Sequence, residues 1–369
     1  ANGRKGREPK LDNSRSRRTW QVLADDARKL LAEFPRSKNA DTVMFNMGLA
    51  YVFLNREKDG ARVFSQLIAK YPNSQKAGDA YFSLGDFYFD RNDFRNAMNN
   101  YKNALKYKRA KTYSWALFKL GWCSYNLGQY RNSLAYWKKT VVAAQRARKS
   151  GAQLKEEALR DMVYAFAELR MIEPAIAYYR ANGGAKYIDR FLLLLSTTFS
   201  DQGRYADAIK VLKRYQQVAP YSEGAPNTQK EIVGLYYELN RMPAVWSELA
   251  RFPRLYGPKS AWASRNRSKR QVYAETQKMV KDQILYYAKI THKNAQKADN
   301  QRLYKEAMTG YKLFLSSYPK SREVAEVKYN MADIEYFGKR YQPAGRLYLE
   351  IALMGKKNAL IYDPANPKK

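Results

Sequence analysis

Apolar residues along this chain recur at spacings of three, four and seven, which place them on helix faces rather than on alternating strand faces. They come in paired runs. In "FNMGLAYVFLNREKDGARVFSQLIAKYP" (45–72) a first apolar stripe carries Gly48 and a polar turn follows. A second stripe then carries Gly60 and, four residues later, Phe64. The same beat returns in "FSLGDFYFDRNDFRNAMNNYKNAL" (82–105) and "FKLGWCSYNLGQYRNSLAYW" (118–137). The small residue of the second stripe anchors a series: Gly60, Ala97, Ser133, Ala175, Ala208, Ala244, Ala307 and Ala344. Leu23 holds that place in a lone second helix at the N-terminal end. The first two intervals are 37 and 36 residues, the period of a stacked helix-turn-helix array.

Each unit has a physical logic. The first helix carries a small residue where two helices cross closely: Gly48, Gly85 and Gly121. Four residues after the anchor comes a large apolar residue: Phe64, Tyr101, Trp137, Tyr179, Leu212, Tyr311 or Tyr348. Pro35, Pro72, Pro220 and Pro319 end second helices, and Ser37, Ser74, Ser222 and Ser321, two residues on, are placed to cap the next first helix. Between Ala244 and Ala307 the period breaks, with an interval of 63 residues.

These residues resemble the tetratricopeptide repeat family, whose unit is a helix pair with small, aromatic and proline positions. The resemblance covers roughly residues 20–355, strongly in 34–140 and weakly in 225–300, where "IVGLYYELNRMPAVWSELARFP" lacks the crossing Gly. "YPNSQKAGDAYFSLGDFYF" and "YPKSREVAEVKYNMADIEYF" look like the units of bacterial cell-envelope members. Among these are the outer-membrane assembly lipoprotein, the Tol-Pal-associated protein and gliding-motility proteins. The resemblance implies an all-α, right-handed superhelix (α-solenoid) of roughly eight units. The expected organisation is a basic flexible arm or linker at 1–18, an array at 19–252, and an irregular basic insertion or atypical helices at 253–300. C-terminal units at 301–362 and a tail at 363–369 complete it.

The charge sharpens the question of partners. Lys and Arg total 67 against 34 Asp and Glu, a formal charge of +33 in 369 residues. That excess predicts acidic protein partners, anionic glycan or a membrane surface, with nucleic acid as a weaker choice. With one cysteine, Cys123, and one histidine, His292, the sequence excludes an intrachain disulfide and any site made of several Cys or His ligands. Cys123 reads as a buried small hydrophobe and His292 as a solvated helix residue. No stretch reaches the ~18 to 20 apolar residues of a membrane span. The chain opens on Ala1, as a processed or trimmed product would.

No enzymatic constellation emerges. "NGGAK" (182–186) lacks the Lys-Ser/Thr ending of a phosphate loop and reads as a turn. Adjacent acids such as Asp25 and Asp26 diverge by about 100° on a helix and read as surface charge. Function is therefore expected from surfaces, without catalysis, metal or cofactor. In the family it resembles, first helices line a concave groove. Carried over, the groove residues are Phe45 and Leu49; Phe82, Asp86 and Phe89; and Phe118, Lys119, Trp122 and Tyr125. The same aromatics at helical spacing also fit inter-repeat core. A basic patch is expected at Arg265, Arg267, Lys269 and Arg270, flanked by Trp262 and Tyr273, and a second at Lys106, Lys108, Arg109 and Lys111. The expectation is a protein-interaction scaffold of a Gram-negative cell-envelope or motility machine, periplasmic or associated with the outer membrane. The alternatives are a cytoplasmic adaptor for a small GTPase or other regulator, and a nucleic-acid-binding protein.

Overall fold

A computed structural model describes residues 14–146 and 151–354. The described residues form seventeen α-helices and no strand. The chain divides into two compact units, Ala1–Ala177 and Tyr178–Lys369. The first unit holds α1 (Ser14–Glu33), α2 (Ala40–Phe53), α3 (Glu57–Lys70), α4 (Gln75–Phe89), α5 (Phe94–Ala104), α6 (Tyr113–Asn126), α7 (Tyr130–Arg146) and α8 (Ala152–Glu168). Helix α9 (Ile172–Asp201) carries the chain from one unit into the next and is kinked at Gly184, whose φ is 64°. The second unit continues with α10 (Tyr205–Val218), α11 (Ala225–Glu238), α12 (Met242–Tyr256) and α13 (Ala261–Asn266). It closes with α14 (Arg270–Ala298), α15 (Gln301–Ser317), α16 (Val324–Phe337) and α17 (Tyr341–Leu353).

The helices pair, and the turn inside each pair holds one residue in the left-handed region. These residues are Asn55, Asn92, Gly128, Arg170, Gly203, Asn240, Asp299 and Lys339, which marks eight pairs among the described residues. A left-handed residue ends a helix and reverses the chain within a few positions, so paired helices within one unit run antiparallel. In seven of these pairs, all but the one marked by Asp299, a buried residue of the first helix lies seven positions before it at the crossing place: Gly48, Gly85 and Gly121, then Val163, Ser196, Val233 and Ala332.

The three glycines explain the packing. A Cβ on Gly48 would lie 2.5 Å from the Phe64 ring, one on Gly85 2.4 Å from Tyr101, and one on Gly121 2.2 Å from Trp137. Each aromatic sits sixteen residues after its glycine and fills the space that the absent side chain leaves. Phe64, Tyr101 and Trp137 are fully buried, each stabilising its pair by about 2–3 kcal/mol. Their polar atoms are satisfied as well. The Tyr101 hydroxyl donates to Asp86 Oδ1 at 2.6 Å, and Trp137 Nε1 to the Phe118 carbonyl at 3.2 Å. In the last pair Tyr348 donates to Asp333 Oδ1 at 2.8 Å, one residue beyond Ala332 as Asp86 is one beyond Gly85.

Several expectations change. Each helix before a Pro-x-Ser turn ends two residues ahead of the proline, at Glu33, Lys70, Val218 and Ser317. Of the four serines only Ser74 is an N-cap, accepting from the Lys76 amide. Around the other three the helix starts later, behind Asn39, Gly224 and Glu323. What the four share is a backbone turn: each serine carbonyl accepts from the amide three residues on, at Ala40, Ala77, Ala225 and Val324. In the sixth pair the buried anchor is Val245, and Ala244 is only partly buried. Residues 14–18, read as part of a flexible arm, begin α1, and residues 1–13 lie outside the described set. The 63-residue interval holds the short α13 and the 29-residue α14. Residues 355–369 also lie outside the described set. His292 is 5% exposed, not solvated, because α14 turns it into the core, where Nδ1 lies 3.3 Å from the Tyr311 hydroxyl. Burial lowers its pKa, partly opposed by Asp333.

Glu323, at the start of α16, makes an acid-sensitive contact. Burial would raise its pKa, but Lys281 at 2.8 Å, the Ser321 hydroxyl, its own backbone and Arg322 outweigh that and hold it at about 2. A depressed carboxylate contributes stability above its unfolded pKa of about 4.3 and loses it as pH falls toward the folded value. Arg322 is well exposed, so after solvent screening the expected loss between pH 5 and pH 2 is about 1 kcal/mol. Urea melts of wild type and Lys281→Met at these pH values should show the steeper acid loss in wild type; parallel losses would rule the contact out.

Candidate interaction face of the first unit

The first helices α2, α4, α6 and α8 of the N-terminal unit pack side by side. Hydrogen bonds tie successive units at one end. The Ser74 hydroxyl donates to Asp41, and Thr112 donates to Asp79 at 2.8 Å. Tyr107 donates to the Pro72 carbonyl at 2.6 Å. This ladder fixes the register in which the helices present their inner residues.

Those residues form a row. Phe45 and Leu49 come from α2, Phe82, Asp86 and Phe89 from α4, and Phe118, Lys119, Trp122 and Tyr125 from α6. All are partly exposed except Phe118, which is 7% exposed and edge-on to Trp115. The row therefore does two jobs. Its inner edges pack on second-helix aromatics, Phe45 on Phe64 at 5.7 Å, Phe82 on Tyr101 at 5.5 Å and Trp122 on Trp137 at 5.4 Å. Its outer edges stay open. Cations lie over two of the rings, Lys76 5.1 Å from Phe45 and Lys119 4.6 Å from Phe89.

Asp86 joins the two layers. It accepts from Tyr101 and pairs with Lys119 at 3.3 Å. Burial raises its pKa, opposed by Lys119 and by the Tyr101 bond. Burial also pushes the Cys123 thiol up to about 12, so it is no ready nucleophile.

The fourth first helix extends the row with residues that sequence reasoning missed. Asp161 on α8 is 1% exposed and accepts from Trp122 Nε1 and from Arg160, both at 2.9 Å. Burial raises its pKa against these two partners. Tyr164 stands 6.1 Å from Trp122 and 6.3 Å from Tyr125. The fourth pair has Val163 where the earlier ones have Gly, so the sequence marker was absent. The left-handed Arg170, seven residues on, carries the register instead.

The two basic clusters lie in different units. Lys106, Lys108, Arg109 and Lys111 are exposed between α5 and α6. In the second unit Arg265 lies 3.7 Å over Tyr221, Lys269 pairs with Glu223 at 2.7 Å, and Arg267 and Arg270 are exposed. Trp262 does not present a stacking surface: it is 1% exposed and its indole donates to the Ser222 carbonyl at 2.8 Å. A cleft of 680 Å³ among α1, α2 and α3 is lined by Met44 and Met47, not by the Phe45 and Leu49 of the row. Among the described residues no group of three or more His, Cys, Asp or Glu is placed to hold a metal, and no helix is long and apolar enough to cross a membrane.

Comparison with known proteins follows the same units. One family model described as a tetratricopeptide repeat matches residues 42–74 and 115–142, and another matches 78–111. These ranges fall on α2–α3, α6–α7 and α4–α5. No curated protein matches the sequence. Among solved structures, YrrB, a TPR protein with an unusual peptide-binding site, shares 16% identity over 56% of this chain and 99% of its own, with a TM-score of 0.38. The apo form of RapI shares 11% over 92% and 96%, with a TM-score of 0.39. PilW, a type IV pilus biogenesis factor, shares 15% over 62% and 98%, with a TM-score of 0.35. The described residues are all-α and built of helix pairs, and the matched residues 42–74, 78–111 and 115–142 are tetratricopeptide repeats, units that generally serve as non-catalytic scaffolds for protein partners.

Proposed function

We propose that this protein is a non-catalytic adaptor that holds a partner protein segment against the inner row of its N-terminal unit. The carrying observation is the double use of that row, with rings anchored from behind and open in front. A rigid apolar strip of this kind suits an extended or helical segment inserting apolar side chains. Lys76 and Lys119 above the rings, in a chain of charge +33, favour a segment that alternates apolar and acidic residues.

The cell-envelope style of "YPNSQKAGDAYFSLGDFYF" and "YPKSREVAEVKYNMADIEYF" supports a finer reading: a scaffold of an envelope or motility machine, located in the periplasm or at the outer membrane. Fractionation of cells expressing the full-length gene with a C-terminal tag tests the location. The expected result is recovery with the periplasm or outer membrane. Recovery in the cytosol would remove the envelope role and leave the adaptor reading to be tested against cytosolic regulators.

A further inference from the structure

The two ends of the helix pairs in the N-terminal unit differ in charge. At one end lie the turns inside pairs, 54–56, 90–93 and 127–129. There the arginines have partners: Arg56 pairs with Asp59 at 2.8 Å and Arg91 with Glu57 at 2.6 Å. At the other end lie the connections between pairs, 34–39, 71–74 and 105–112. These contain no acid, and they hold Arg36, Lys38, Lys106, Lys108, Arg109 and Lys111, all exposed. Among the described residues none of the six makes an ion pair.

Of the acids bordering the connections, Glu33 is exposed at the end of α1, and Asp41 and Asp79 are held by hydrogen bonds. Asp41 accepts from Ser74 and from the Thr42 amide, and Asp79, 6% exposed, accepts from Thr112. This end is where α2, α4 and α6 begin and α1, α3 and α5 end, so the helix dipoles offset and the positive potential comes from the six side chains. Two large aromatic side chains stand exposed there: Phe34, 58% exposed in the first connection, and Trp115, 40% exposed in the first turn of α6.

We propose that this edge docks on an anionic phospholipid surface, with the six cations on headgroups and Phe34 and Trp115 at headgroup depth. Antiparallel pairing puts the three connections at one end of the unit, so a flat surface can meet them together. The bond from Tyr107 to the Pro72 carbonyl fixes two of the connections to each other. Cations beside exposed aromatic rings are the composition of an interfacial contact. A nucleic-acid duplex would use the cations without needing rings at the same level.

The test is co-sedimentation of the full chain with vesicles of phosphatidylglycerol mixed with phosphatidylcholine, and with phosphatidylcholine alone. Wild type should bind only the anionic vesicles. The triple variant Lys106→Glu, Lys108→Glu, Arg109→Glu should lose on the order of 100-fold in partitioning. A control with the same charge change, Lys58→Glu, Arg95→Glu, Arg131→Glu, should keep most of it. Phe34→Ser with Trp115→Ser should weaken the binding that survives high salt while leaving the salt-dependent part in place. Equal losses in the two triple variants, or tighter binding to a DNA duplex than to anionic vesicles at the same salt, would overturn the proposal.

Discussion

Gly121→Ala is expected to destabilise the N-terminal unit by about 3 kcal/mol, the upper part of the range for overpacking a filled core. The added methyl would lie 2.2 Å from Trp137 Nε1, and the indole cannot retreat. It is fully buried, donates to the Phe118 carbonyl and packs on Trp122 at 5.4 Å. In an open helix the same change is favourable by about 1 kcal/mol, because alanine has the higher helix propensity. Gly345 in α17 supplies the comparison, since a Cβ there meets nothing within 4 Å. Repeat arrays unfold in parts, so the loss belongs to the transition of the N-terminal unit. Urea melts should move in opposite directions for Gly121→Ala and Gly345→Ala. A shift of the same sign for both would show that the glycine is not where the tryptophan is seated.

Leu49→Glu combined with Phe89→Glu is expected to reduce partner retention on the order of 100-fold or more, since two apolar anchors at the centre of an interface are lost. Both side chains are partly exposed, so the fold should survive. The new carboxylate at position 89 would also lie beside Lys119, one of the cations that favour an acidic segment. Val142→Glu on α7, equally polar and off the row, should leave retention unchanged. Affinity capture from cells with the three forms side by side makes the comparison. Undiminished capture by the double variant would place the partner elsewhere.

The repeat was legible because its markers are steric. A glycine at 48, 85 or 121 and an aromatic sixteen residues later can be read from sequence, since one is the cavity and the other fills it. Where a larger residue replaces the glycine the marker disappears, as at Val163, and with it went Asp161 and Tyr164. The left-handed turn residue would have been a steadier guide, but only Gly and Asn announce that conformation; Arg170 and Lys339 hide it. The serines after proline misled for a related reason. Their shared job in all four turns is done by the carbonyl, which every residue has, and the hydroxyl is an N-cap only at Ser74. His292 and Trp262 sit in polar, basic sequence whose local pattern hides their burial. Both are turned inward by helices that the broken period concealed. Of the nine residues carried onto the row, eight keep an open edge and Phe118 is packed away, a distinction that depends on neighbouring helices and not on spacing.

The most direct test of the inner row is site-specific photo-crosslinking in cells, with a benzophenone amino acid at Phe82 or Phe89 and, for comparison, at Val142 or Tyr286. Adducts from both row positions to one and the same protein, absent from Val142 and Tyr286, are the predicted result. Adducts from Val142 or Tyr286 with none from Phe82 or Phe89 would contradict the account.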